Sequence, residues 1–256
     1  MTRAGQAFQN SSRESDMTAK TAVKERPIIF TGEMVRAILE GRKNQTRRAV
    51  KPKRGWHIEF VGGVGMENDP TCWGFESDDC ERWALQGDDE CRQIPCPYGR
   101  PGDQLWVREA FSGPYCMEKQ EGIPSLPPKD WPECSDLWYW SDGSPDHGDW
   151  TRPKPSIHMP RWASRILLEV VSVRVERLND ISASDAMAEG IERPQGGTYR
   201  DYGVLPESNE GYDYCTSPTA SFKTLWKSIN GAGSWDENPW VWVVEFRRLD
   251  QKGEAS

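Results

Sequence analysis

The sequence predicts an α+β fold: a small mixed β-barrel with flanking short helices and long irregular insertions. Apolar stretches of strand length recur at 27–30, 104–111, 166–178 and 239–247, whereas helical spacing appears in only three short stretches. No regular strand–helix alternation and no Gly-rich phosphate turn is present, which argues against a doubly wound sheet. Strands as apolar as Trp240-Val241-Trp242-Val243-Val244 also need both edges covered, and closing a barrel does this.

Each element has a local cause. Residues 1–25 are polar and without apolar period, so they are expected to be a disordered leader in which Met17 is an alternative start. Pro27 to Phe30 reads as a short buried strand. Thr31 stands where it N-caps a helix from Gly32, with Met34, Val35, Ile38 and Leu39 on one face and Gly41 at the C-terminal stop. A strand over 46–50 ends at Pro52. The tract 53–98 mixes Gly, Asp, Cys and Trp without period and is expected to be an irregular insertion. Pro101-Gly102-Asp103 signals a turn before an alternating strand from Gln104 to Phe111.

A second insertion, 112–157, precedes the longest strand, Ile166 to Leu178, whose alternation breaks near Val171-Ser172 as a bulge would break it. Ser182 is expected to cap a helix over 183–191 with Asp185 at its third position. A third insertion covers 192–218. Ala220 to Ile229 then carries Phe222, Leu225, Trp226 and Ile229 at helical spacing, and Pro239 to Arg247 closes the chain as a strand too apolar for an open edge. These elements make one domain over 26–250, with a tail over 251–256.

The chain has 256 residues, a net charge of -8 and a mean hydropathy of -0.78. No run approaches the ~18 apolar residues that a membrane helix needs. With no apolar signal segment, a cytoplasmic protein is expected. Seven cysteines read as reduced thiols. The gaps between Cys72, Cys80, Cys91 and Cys96 lack the short pairs of structural zinc sites, so neither metal nor cofactor is expected.

Against this acidic background, Arg42, Lys43, Arg47, Arg48, Lys51, Lys53 and Arg54 fall within thirteen positions, and no Asp or Glu stands between Glu40 and Glu59. A sequence pI near 5.1 disfavours non-specific binding to long nucleic acid. The local field still suits one phosphate or one anionic ligand. There is no G-x-S-x-G, H-E-x-x-H or Walker pattern. Of the three histidines, His57 and His147 sit in insertions and His158 suits a structural role or a pocket wall.

Two readings of Lys43 and Thr46 stay open. Lys43, surrounded by cations, loses its proton easily and activates the Thr46 hydroxyl; or it is a charged donor and Thr46 merely opens a strand. Glu189, beside Gly190 late in a short helix, is either a candidate proton shuttle or a solvent-facing helix residue, and nothing local decides between them.

The run Ile38-Leu39-Glu40-Gly41-Arg42-Lys43-Asn44-Gln45-Thr46, the Gly102-Asp103 turn and Ala186-Met187-Ala188-Glu189-Gly190 together resemble an ASCH domain of the PUA-like superfamily. Pro160-Arg161-Trp162-Ala163-Ser164-Arg165 and Asn238-Pro239-Trp240-Val241-Trp242-Val243 are similar to segments of the larger phage and prophage ASCH proteins. The resemblance covers about 27–51, 98–111, 158–191 and 220–249.

It implies a PUA-like barrel and the activity of small bacterial relatives, which hydrolyse the acetamide of N4-acetylcytidine without a metal. Thr46 would be the nucleophile, Lys43 its activator and Glu189 the acid and base. Arg42, Arg47, Arg48, Trp106, Arg161 and Trp162 would bind substrate; Trp106, Trp162, Trp240 and Trp242 near expected strand ends offer stacking surface for a base, while most of the thirteen tryptophans are expected in the barrel core. Other relatives imply two alternatives: a non-catalytic reader of modified bases in RNA or DNA, and a nuclease. The insertions are expected to reshape the barrel mouth.

Overall fold

The computed structural model describes residues 22–51, 56–77, 82–86, 93–117, 126–133, 136–194, 197–203 and 214–249. Most of the expected leader, Lys53, Arg54, Cys80, Cys91, Cys134 and the expected tail lie outside them. No described helix is long and apolar enough to cross a membrane.

The fold is mixed α+β, with few helices and several sheets. The strands in chain order are β1 Glu25–Ile29, β2 Gln45–Ala49, β3 Trp56–Phe60, β4 Trp73–Ser77, β5 Arg82–Ala84, β6 Gln104–Arg108, β7 Phe111–Ser112, β8 Trp138–Tyr139, β9 Leu167–Arg177, β10 Tyr199–Arg200, β11 Tyr214–Cys215 and β12 Trp240–Leu249. Among the described residues three α-helices accompany them: α1 Gly32–Leu39, α2 Ala183–Ala188 and α3 Pro218–Asn230. The principal sheet has the order β1-β6-β9-β12-β2. β1 and β6 run parallel, and the remaining neighbours antiparallel.

Among the described residues no sheet closes on itself by backbone pairing. The two edges nevertheless meet through a side chain, because Arg48 on β2 donates from Nη2 to Ile29 O on β1 at 2.6 Å. The Arg48 guanidinium also lies 5.3 Å from the Phe30 ring centroid, and Phe30 packs on Phe246.

The local signals act as expected. The Thr31 hydroxyl accepts from Met34 N at 3.4 Å, and Gly41 takes φ +75° just beyond α1, where a Cβ would be strained. The Ser182 hydroxyl accepts from Asp185 N at 3.1 Å, while Ser217 caps α3 with Pro218 in its first turn. In the β9–β12 ladder Ser172 pairs with Glu245 but Val170 with Phe246, so Val171 is the extra residue of a bulge where the alternation breaks. β12 is interior, between β9 and β2.

Three expectations need correction. The tract 53–98 is not irregular throughout: β3, β4 and β5 form an antiparallel three-stranded sheet, joined to the main core through Phe75 and Leu85. The stretch 104–111 is not one strand, since β6 ends at Arg108 and Phe111 pairs with Tyr139 in a separate two-stranded sheet. Ile229 is 46% exposed at the end of α3, rather than part of its buried face.

The main sheet separates two apolar clusters. One face carries Val50, Leu168, Val170, Trp240, Trp242 and Val244 with the buried side of α1. The other carries Val241 and Val243 under Phe222, Leu225 and Trp226 of α3 and Ala186 of α2. β2 is the edge at which the two faces meet.

Candidate active site

The turn after α1 and the end of α2 are tied backbone to backbone. Lys43 and Glu189 form an isolated antiparallel bridge, and Asn44 N donates to Ala188 O at 3.0 Å. Gly190 makes this approach possible, because it holds φ +85° and a Cβ there would lie 2.7 Å from Lys43 Cβ and 2.8 Å from Ala37 Cβ. Residues 146 positions apart are thereby fixed side by side.

The Lys43 ammonium is 2% exposed as a residue and makes three short hydrogen bonds. It donates to Glu189 Oε2 at 2.7 Å, Glu189 O at 2.9 Å and Gln45 O at 2.7 Å. These use all three of its protons. Burial pushes the Lys43 pKa down, opposed by the Glu189 charge and hydrogen bond. The other Glu189 oxygen, Oε1, accepts from Arg47 Nη1 at 3.2 Å.

Arg47 in turn donates to Glu176 Oε1 from Nε at 2.9 Å and again from Nη2, and to Asp185 Oδ2 at 3.0 Å. Arg174 joins from β9, bonding Asp185 at 3.0 Å, Glu176 at 3.2 Å and the Glu245 carboxylate. With the Gln45 amide oxygen turned toward the guanidinium groups, it accepts from Arg47 Nη1 at 2.8 Å and Arg174 Nη2 at 3.2 Å. Lys43, Arg47 and Arg174 thus share Glu176, Asp185, Glu189 and Glu245 in one network, which leaves the Glu189 carboxylate tightly located.

Glu189 and Thr46 both line one cavity of about 470 Å³. Its walls come from β2 with Met34 of α1, from Phe222, Leu225 and Trp226 of α3, and from the tract read as an insertion, which supplies Trp56, Phe75, Trp83 and Tyr98. Lys43 stands behind Glu189 rather than in the wall. Its described hydrogen bonds go to Glu189 and Gln45, none to the Thr46 hydroxyl. Alternation along β2 puts Thr46, opposite Val244, on the face of the first cluster and Arg47, opposite Val243, on that of the second.

The other expected site residues divide. Arg48 lines the cavity; Arg47 does so while held by its carboxylates. Arg42 lies outside the cavity wall, bonded to Glu40 Oε2 and Gly190 O at 2.7 Å each, where it buttresses the Glu189-Gly190 turn. Trp106 is buried against Arg108, whose guanidinium stands 4.5 Å from its ring. Arg161 pairs with Glu25 at 2.7 Å, and Trp162 packs beside the separate cluster of Phe111, Trp131 and Met159. None of these four reaches the cavity. Trp242 does, Trp240 does not, and His158 is exposed elsewhere.

The aromatic wall of Trp56, Trp83, Phe222 and Trp226 was not singled out as a site by sequence reasoning. The helical spacing of Phe222 and Trp226 marked them as core. Comparison of the chain with family models, curated proteins and solved structures finds no match.

Proposed function

We propose that this protein is a metal-independent amidohydrolase acting on an N-acylated pyrimidine nucleoside such as N4-acetylcytidine, in the cytoplasm of the cell that expresses it. The observation that carries this reading is one cavity lined by both Thr46 and Glu189, the latter with a buried carboxylate that a buried lysine holds at 2.7 Å. The resemblance to ASCH domains of phages and prophages supports the same residues, and the Arg48 link between the two sheet edges supports a PUA-like barrel closed partly by side chains.

In this reading the Thr46 oxygen adds to the acyl carbon and its proton passes to the Lys43–Glu189 pair. The adduct collapses by breaking the carbon–nitrogen bond, and the exocyclic nitrogen takes up that proton and leaves as the amine. Water, giving its proton to Glu189, then cleaves the threonyl ester to release the carboxylic acid, and the proton returns to Thr46. A lysine whose charged form is opposed by burial suits such shuttling. Arg47 holds Glu189 in place.

The test is conversion of N4-acetylcytidine to cytidine and acetate by purified protein, followed by chromatography. Loss of at least about a hundredfold in Thr46→Ala and in Glu189→Gln is expected, in line with the loss of a nucleophile or of an acid–base group. Absence of turnover, or turnover unchanged in both variants, overturns the proposal.

One observation favours the second reading, a non-catalytic reader of a modified base in RNA or DNA: the Lys43 protons are all engaged away from Thr46. That reading predicts salt-sensitive binding of a modified oligonucleotide, weakened by Arg48→Ala. Equal affinity for modified and plain strands removes it.

A further inference from the structure

The hydrogen-bond phase of the β12–β2 ladder has a chemical outcome at the cavity. Val50 N donates to Trp240 O at 2.8 Å, and Phe246 N donates to Asn44 O at 2.8 Å. With the unbroken register between these points, residues 44, 46, 48 and 50 face β12 with their backbone groups. The N–H and C=O of Gln45, Arg47 and Ala49 therefore point the other way, where no strand adjoins β2 among the described residues. Gln45 O confirms this direction, since it accepts from Lys43 Nζ. For the backbone groups of Arg47 and Ala49, no hydrogen bond is found among the described residues.

The cavity surrounds this bare edge. Met34, Trp56 and Phe75 come from the side of the first cluster, whereas Phe222, Leu225 and Trp226 come from the side of the second. A wall that draws on both faces of a sheet wraps around the edge of β2. An extended residue outside a ladder presents its N–H and C=O side by side, one donor next to one acceptor. A strand edge left without a partner presents a row of donors and acceptors that a ligand or water can pair.

We infer that the open edge of β2 at Ala49 reads the substrate's heterocycle by backbone hydrogen bonds. Ala49 N–H donates to a ring nitrogen, Ala49 C=O accepts from the adjacent exocyclic N–H, and the aromatic walls cover the ring faces. The class this selects is a planar amide on a ring with an acceptor beside its exocyclic nitrogen. In N4-acetylcytidine those atoms are N3 and the N4 hydrogen. The inference rests on the cavity being a modified-pyrimidine site, and it adds the group that chooses the ring.

A binding experiment separates it from turnover. In Thr46→Ala protein, quenching of tryptophan fluorescence gives the affinity for N4-acetylcytidine and for its 3-deaza analogue, which lacks the ring acceptor. Weakening by about tenfold is expected for the analogue, the upper end of one hydrogen bond's net worth. The added substitution Ala49→Pro deletes the N–H without touching a β2–β12 bond, and proline suits a strand edge. It should bind both ligands equally, at the weaker level.

Equal affinity of the Ala49 protein for the two ligands, retained discrimination in the proline variant, or no saturable binding overturns the inference. Discrimination without any turnover by the unsubstituted protein keeps the edge and overturns the hydrolase. Turnover without discrimination does the reverse.

Discussion

Replacing Lys43 by methionine tests whether the buried network holds Glu189. Methionine keeps much of the side-chain length and removes the ammonium, so Glu189 Oε2, Glu189 O and Gln45 O lose their donor together. Glu189 is 3% exposed and keeps only Arg47 Nη1, at 3.2 Å, as a charged partner of its carboxylate. Removing one partner of a buried ion pair costs about 3–5 kcal/mol, because the other charge stays behind uncompensated. Against a total stability of about 5–15 kcal/mol, this is a large share of the whole.

Urea unfolding followed by tryptophan fluorescence measures the loss. Adding Glu189→Gln to Lys43→Met removes the stranded charge, so the double variant should be more stable than the sum of the single losses by at least about 1 kcal/mol. A Lys43→Met loss below about 1 kcal/mol, or strictly additive losses, would refute the account of the network.

Three further outcomes follow from the same structure. Burial lowers the Lys43 pKa, so the unfolded chain holds that proton more tightly and stability from this residue rises with pH, from the lowered value up to the ordinary 10.5; urea midpoints across that range should show a slope that is absent in Lys43→Met. Gly190→Ala puts a Cβ 2.7 Å from Lys43 Cβ at φ +85° and should cost more than about 1 kcal/mol in the same assay, with no loss arguing that the turn relaxes freely. Burial raises the Cys96 thiol to about 11, so alkylation by iodoacetamide near pH 9 should leave it largely unmodified, and rapid labelling there contradicts the described environment.

The parts of the molecule legible in the sequence are those with local causes. Thr31 and Ser182 announce their helices because a cap needs one hydroxyl three residues before the amide it receives. Val171 betrays the bulge because an extra residue shifts the alternation by one. Lys43 and Glu189 are each legible as candidates, but no local pattern pairs them, since what joins them is a backbone bridge between distant segments.

Other features depend on partners no local pattern reveals. The run Arg47-Arg48 reads as a ligand-facing basic patch, yet Arg47 is satisfied by Glu176, Asp185 and Glu189, all more than a hundred residues away. The strands at 56–84 are short and interrupted by Gly and Asp, so their pairing overrides a weak signal. Trp56 and Trp83 line the cavity only because that small sheet packs beside β2. Which side of β2 lies bare follows from hydrogen-bond phase, and sequence carries no trace of it.

The most direct measurement is the intact mass of the unsubstituted protein mixed with N4-acetylcytidine and acid-quenched within the first turnover. The account predicts an acetyl group covalently attached to the chain and located on Thr46 by peptide fragmentation, and no such adduct when Thr46 is alanine. An acetyl group on another residue, or cytidine released by the unsubstituted protein with Thr46→Ala equally active, would contradict the assignment of Thr46 as nucleophile.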